Sequence, residues 1–322
     1  MLRRLIPDSF ILMLIATVIV ASLLPANGVA LSIVGFISTA AIMLLFFLHG
    51  VRISPDAVAQ GFRHWRLQLA IFAFCYGAMP MAGLGMASLA RPLVGPGLAL
   101  GLLYLCVLPT TVQSSIAYAS LARGNVAASV IASAASNIAG VVMAPALFAL
   151  LASAQGGETG FGGIGRIMLI LLLPFVLGQL SRRWLAPWAE RNRRIVGFMD
   201  RLTIVIAVYV AFSEAVTGGI WSRVSGAQLA MLLGVVTALL ACAFAAAWGL
   251  GGAMRLSRAD RATLLFSGAH KSLATGAPMA RILFPGPEAG AILLPLLLYH
   301  QLQLMLSAVV AARIARDDAA AD

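Results

Sequence analysis

Residues 97–125 read GLALGLLYLCVLPTTVQSSIAYASLARGN, and the break in the middle of this stretch decides the architecture. From Gly97 to Leu108 it carries no charge and almost nothing polar, as a segment entering a hydrocarbon core requires. Pro109 then removes a backbone donor, and Thr110, Thr111, Gln113, Ser114 and Ser115 follow before apolar character returns. Residues 262–284, ATLLFSGAHKSLATGAPMARILF, repeat the design, with Gly268, His270, Lys271, Ser272, Thr275 and Gly276 at their middle. Unwound backbone at membrane depth is tolerated only where it is buried in protein or lines a water-filled cavity. The two stretches together predict a pair of discontinuous helices built around a site.

Composition supplies the setting. Of 322 residues, 61% are hydrophobic and only 10% charged, against roughly 45–50% and 25% in a soluble domain. So few charges cannot cover a water-facing surface. Apolar segments are expected at 8–25, 30–49, 67–90, 95–122, 126–153, 164–186, 195–217, 226–252, 260–284 and 289–314. Met1–Arg4 followed by apolar Phe10–Leu24 has the charge layout of a signal peptide, but no convincing cleavage site follows and it reads as the first span. The net charge of +11 comes from arginines lying between spans, a topology signal and not a nucleic-acid footprint. With the N-terminus inside, seventeen of the 22 basic residues fall on the cytoplasmic side. Arg91, Arg166, Arg223 and Arg281 fall opposite, and Lys271 lies within a span. This bias predicts a bacterial inner-membrane protein with both termini cytoplasmic. Cys75, Cys106 and Cys242 are isolated in apolar stretches and read as small buried hydrophobes. The strings GVRIS (50–54) and PGPE (285–288) read as turns.

The Gly-rich stretch Gln155–Gly165 divides the chain into 1–153, a connection at 154–165, and 166–322, with no soluble domain. Each half holds five spans, and an odd number forces the second half to enter from the opposite side, as in inverted-repeat transporters. Each interrupted span is the fourth of its half. Laid over each other, QSSIAYASLA (113–122) and HKSLATGAPM (270–279) share Ser115/Ser272 and Ala117/Ala274. The expected fold is an all-α polytopic membrane protein of ten transmembrane helices in two inverted five-helix repeats, with helices 4 and 9 discontinuous.

Lys271 is the chain's single lysine, about twelve residues from either end of its span. A charge there costs about 2.5–3.5 kcal/mol on insertion scales and is too far from an interface to snorkel. It reads as an anion-binding cation, a protonatable coupling group, or a fixed charge standing where another transporter binds sodium. His270 reads as a proton relay or a packing residue. His300, Gln301 and Gln303 form a second polar cluster, read equally as site residues or as interhelical hydrogen bonds. Ser129, Ser133 and Ser136/Asn137 follow the spacing of one helical face. Glu214, at the outer end of span seven, reads as interfacial. The sequence offers no Walker motif, nucleophile elbow or His-Glu-x-x-His, so no enzyme is expected.

The stretch 108–137, LPTTVQSSIAYASLARGNVAASVIASAASN, resembles the crossing region of the bile acid:sodium symporter family, solute carrier family 10 and its bacterial relatives. SGAHKSLATGAPMARILF (267–284) followed by LLPLLLYHQLQLML (293–306) is similar to that family's member-7-like branch. The resemblance covers essentially the whole chain. It implies a panel domain and a core domain, with spans four and nine crossing in the core. It also implies sodium ligands at Ser114 and Ser115 after the proline, and at Ser129 and Ser133 after the Arg-Gly-Asn turn. Three positions depart from the family pattern: Phe266 and His270 stand for its carboxylate and glutamine, and Cys75 for the glutamine ahead of Met-Pro.

The expected function is secondary active transport of an organic, anionic solute by alternating access, with incomplete sodium sites. Thr110, Thr111, Gln113, Ser114, Ser115, Ser129, Ser133, His270, Lys271 and Ser272 form the expected substrate and ion site. No cofactor is expected, sodium or a proton is the possible coupling ion, and the partners are a small solute and the lipid bilayer. The alternative is a non-transporting membrane regulatory protein that retains the fold.

Overall fold

The computed structural model describes residues 9–52, 64–153, 168–219, 222 and 224–319. The N-terminal arginines, Arg63, Arg166, Arg223 and the connection at 154–165 lie outside them. Among the described residues the chain is helical throughout and contains no strand. In chain order the helices are α1 (Ser9–Leu23), α2 (Gly28–Arg52), α3 (Trp65–Ala73), α4 (Met79–Val94), α5 (Pro96–Val107), α6 (Gln113–Leu121) and α7 (Val126–Ser153). They continue as α8 (Leu173–Arg191), α9 (Arg193–Thr217), α10 (Gly226–Ala253), α11 (Arg258–Ala269), α12 (Leu273–Leu283) and α13 (Glu288–Ala319). A π-helical turn, Phe74–Ala78, joins α3 to α4, and another, Met168–Leu172, precedes α8.

Among the described residues, seven helical stretches are long and apolar enough to cross a membrane, and Leu12–Leu23 and Pro96–Val107 are shorter apolar helices. Large apolar side chains such as Val29, Phe36 and Leu89 stand more than 70% exposed, as a lipid-facing surface requires. The chain is a multi-pass membrane protein. Most helices end within a few residues of the expected boundaries, but α8 runs on to Arg191, past the expected end at 186. Arg182 and Arg183 do not stop it, because arginine is a good helix former and can ride beyond the hydrocarbon edge.

The chain forms two compact units, and the divisions fall inside α10, α12 and α13. The first comprises Met1–Ile53, Gly156–Leu229 and Ala274–Leu294. Its centre is the pair α2 and α8, which pack backbone to backbone. A Cβ added at Gly50 would lie 2.1 Å from the Phe175 carbonyl oxygen, and one at Gly178 2.1 Å from that of Phe47. Glycines let the two helices approach as membrane helices do when small residues face each other. Leu48, Val51, Ala189 and Val196 fill the interior nearby. Arg52 pairs with Asp200 of α9 at 2.8 Å, and Arg281 with Glu214 at 2.9 Å. Glu214 also accepts from the Gly286 N–H and is 13% exposed, so the carboxylate expected at the outer end of its span is a partly buried partner of Arg281.

The second unit comprises Ser54–Gln155, Ala230–Leu273 and Pro295–Asp322. Residues 101–108 of α5 and its C-cap, and residues 262–272 of α11 and the break after it, are all buried. The stretch of α5 is apolar on every side, whereas in α11 the buried hydroxyls of Thr263 and Ser267 are hydrogen-bonded. Gly83 of α4 lets that helix close on α5, where a Cβ would meet the Cys106 side chain at 2.4 Å. Cys75 and Cys106 are buried as expected, whereas Cys242 is exposed. It lies on α10, a helix apolar on every side, so its sequence does not distinguish a lipid-facing cysteine from a buried one.

Candidate solute and ion site

Both interruptions fall in the second unit, and both are narrower than the sequence suggests. The first spans Leu108–Val112, because Gln113, Ser114 and Ser115 already belong to the first turn of α6. The second spans His270–Ser272, because Gly268 is still helical and packs on Phe74, while Thr275 and Gly276 lie within α12. Leu108, ahead of Pro109, is extended at φ −70, ψ 152, as a residue before proline must be. His270 is extended at φ −67, ψ 145.

Buried backbone groups freed at a break need partners, and the two breaks supply one another. Ser272 N donates to the Pro109 carbonyl at 2.9 Å. Gln303 of α13 brackets Lys271: the Lys271 N–H donates to Gln303 Oε1 at 2.9 Å, and Gln303 Nε2 donates to the Lys271 carbonyl at 3.1 Å. Tyr299 donates its hydroxyl to the Ala269 carbonyl at 2.8 Å. On the other break, Thr110 N donates to Ser136 Oγ at 3.2 Å, and Asn137 Nδ2 donates to the Thr110 carbonyl at 3.0 Å. The Thr111 carbonyl accepts from Ser115 Oγ and from Ser133 Oγ.

Side chains complete the cluster. Lys271 is fully buried, and its ammonium donates to the Leu108 carbonyl at 2.8 Å, the Cys75 carbonyl at 3.1 Å and Cys75 Sγ at 3.4 Å. All three acceptors are uncharged protein groups, so the ammonium is held from within. Ser115 and Ser133 share a hydroxyl–hydroxyl bond at 2.9 Å, and Ser129 pairs with Ser267 at 3.0 Å. His270 lies within 3.4 Å of Thr111 Oγ1 and 3.3 Å of Ser114 Oγ through Nδ1, and 2.7 Å from Ser307 Oγ through Nε2. Its ring is walled by Tyr118, Phe244 and Phe266. Thr110 is the exception. Its hydroxyl is fully buried and has no hydrogen-bond partner among the described residues.

The structure thus gathers Thr110, Thr111, Ser114, Ser115, Ser129, Ser133, His270, Lys271 and Ser272 at the two breaks. Gln113 is exposed and makes none of these bonds. Sequence reasoning missed Tyr299 and Ser307, which share a face of α13 with Gln303 at i, i+4, i+8 spacing, and it missed Ser267. It also missed that Cys75 supplies a carbonyl. The serine hydroxyls offer oxygen, but no group of three or more His, Cys, Asp or Glu that could hold a metal ion occurs among the described residues.

Residues 8–316 match the SBF-like CPA transporter family. The chain is 45% identical to the uncharacterized protein PA2026 of Pseudomonas aeruginosa, over 99% of this chain and 96% of that protein. It is 43% identical to the putative symporter YfeH of Escherichia coli, over 96% and 93%. It is 26% identical to sodium/bile acid cotransporter 7 of Mus musculus, over 86% and 83%.

Proposed function

As the chain belongs to the SBF-like CPA transporter family, we propose that it is a secondary active transporter that moves an organic, anionic solute by alternating access. One observation supports a site at the two breaks: the Thr110 hydroxyl is buried and has no partner among the described residues, while the hydroxyls of Thr111, Ser114, Ser115 and Ser133 beside it are bonded. A buried hydroxyl left unpaired costs about 1–3 kcal/mol, and a solute that hydrogen-bonds to it recovers that cost. Lys271 adds a positive charge to the same crossing, which favours an anion through space, since its own donors are occupied by protein groups. The N-terminal ends of α6 and α12 follow the two breaks and carry the positive ends of their helix dipoles.

The wider architecture belongs to the same proposal. Ten spans in two inverted five-helix repeats account for the two interruptions, each placed fourth in its half. The arginine bias supports a bacterial inner-membrane location with both termini cytoplasmic. The relatives named for bile acid and sodium suggest an amphipathic organic anion as cargo. The sodium positions at Ser114, Ser115, Ser129 and Ser133 keep hydroxyls, yet Phe266 and His270 stand where the family has a carboxylate and a glutamine. The coupling ion is then a proton or sodium, with sodium held by an incomplete set.

Uptake into proteoliposomes tests the reading. Saturable flux of an organic anion under a proton or sodium gradient is the expected result, and Lys271→Ala in sodium-free medium is expected to abolish it. Absence of saturable flux with every gradient and solute class points instead to a membrane regulatory protein that keeps the fold.

A further inference from the structure

The Lys271 ammonium sits in a cradle that two prolines create. In the π-helical turn, the Met79 N–H bonds the Phe74 carbonyl, five residues back. The next carbonyl, that of Cys75, would take the N–H of residue 80, and residue 80 is proline. On the other side Pro109 ends α5 and leaves the Leu108 carbonyl outside the helical ladder. Two freed carbonyls therefore face one buried point, and Lys271 Nζ occupies it at 3.1 and 2.8 Å, with Cys75 Sγ at 3.4 Å. An ammonium has three donors and no acceptor, so these three acceptors satisfy it. Leu108 also caps the C-terminal end of α5, where the helix dipole favours a cation. Freed carbonyls at helix breaks are the groups that coordinate alkali ions in transporters of discontinuous helices.

We propose that the Lys271 ammonium is a built-in cation filling a carbonyl site for a monovalent ion, so that the natural protein binds no alkali ion at this point and a chain lacking the side chain does. The inference rests on the crossing being the ion site of a carrier. It deepens that reading by making the charge between Cys75 and Leu108 part of the polypeptide.

The test uses purified full-length protein in detergent, without solute. Melting temperatures of the natural chain, Lys271→Ala and Lys271→Met are compared in sodium, potassium and N-methyl-D-glucamine chlorides at equal ionic strength. The natural chain is expected to melt at the same temperature in all three. Lys271→Ala is expected to melt lower, and to recover with rising sodium or potassium as a binding ligand dictates. Lys271→Met, which refills the space without a charge, is expected to melt the same in all three. An alkali response in the natural chain equal to that of Lys271→Ala overturns the inference, as does a Lys271→Ala protein indifferent to the cation. If Lys271→Ala fails to fold in N-methyl-D-glucamine, extraction in sodium or ethylammonium is expected to yield a monodisperse peak on size exclusion. Equal failure in every cation overturns the inference. Because no flux is measured, a natural chain that transports nothing leaves it standing, and a cation-indifferent Lys271→Ala protein removes it while saturable flux by the natural chain keeps the transport reading in place.

Discussion

The Thr110 hydroxyl takes no part in the hydrogen bonding among the described residues, so its removal separates stability from transport. Thr110→Val keeps the shape and deletes only the unpartnered group; its melting temperature is expected to match or exceed that of the natural chain, because the lost hydroxyl was buried without a partner to offset its desolvation. Uptake is expected to fall at least about tenfold, the worth of one hydrogen bond of about 1.4 kcal/mol. Gln303→Leu is the converse case. It strips both backbone groups of Lys271 of their partners, each at about 1–3 kcal/mol, and thermal melting should show a clear loss even in solute-free protein. At this scale the sequence was partly legible. Lys271 announces itself as a lone charge at the centre of a span, and Pro109 marks its break. The acceptors of Lys271 are invisible because carbonyl groups belong to every residue. Cys75 becomes readable only by asking which carbonyl the missing N–H of Pro80 leaves free.

Among the elements, α2 and α8 make the sharpest prediction. Gly50→Ala and Gly178→Ala each place a Cβ 2.1 Å from a carbonyl oxygen of the facing helix, and backbone cannot move aside as a flexible side chain does. Each is expected to cost at least the about 1–3 kcal/mol of an overpacked core, seen as a lower melting temperature. Gly249→Ala in α10, with nothing within 4 Å of the added Cβ, is the control and should match or exceed natural stability. Glu214→Gln leaves Arg281 as a nearly buried cation without its counter-ion, and a drop in melting temperature larger than that of an exposed pair is expected. The helices themselves were legible from apolar run length, and α7 begins and ends at the expected Val126 and Ser153. Which glycines touch another backbone was not, because the sequence neighbours of a glycine do not name the helix it packs against.

For the molecule as a whole, the arginine bias makes a prediction independent of the site. A fluorescent protein fused after Asp322 is expected to fluoresce and alkaline phosphatase at the same place to stay inactive; the reverse pattern removes the proposed orientation. What reading the chain in order leaves out is that each compact unit draws on both halves, since apolar runs declare where helices are and not which ones gather. The bond from Ser272 N to the Pro109 carbonyl has a consequence for synthesis. When Leu108 and Pro109 leave the ribosome, the lysine that donates to the first of their carbonyls lies 163 residues downstream of Leu108. Until that segment and Gln303 emerge, the nascent chain holds unsatisfied backbone within the bilayer, at several kcal/mol for each group. Chains truncated before residue 270 lack these partners and are expected to be substrates for membrane quality control. Pulse-chase labelling should show such truncations degraded quickly while the full-length chain persists.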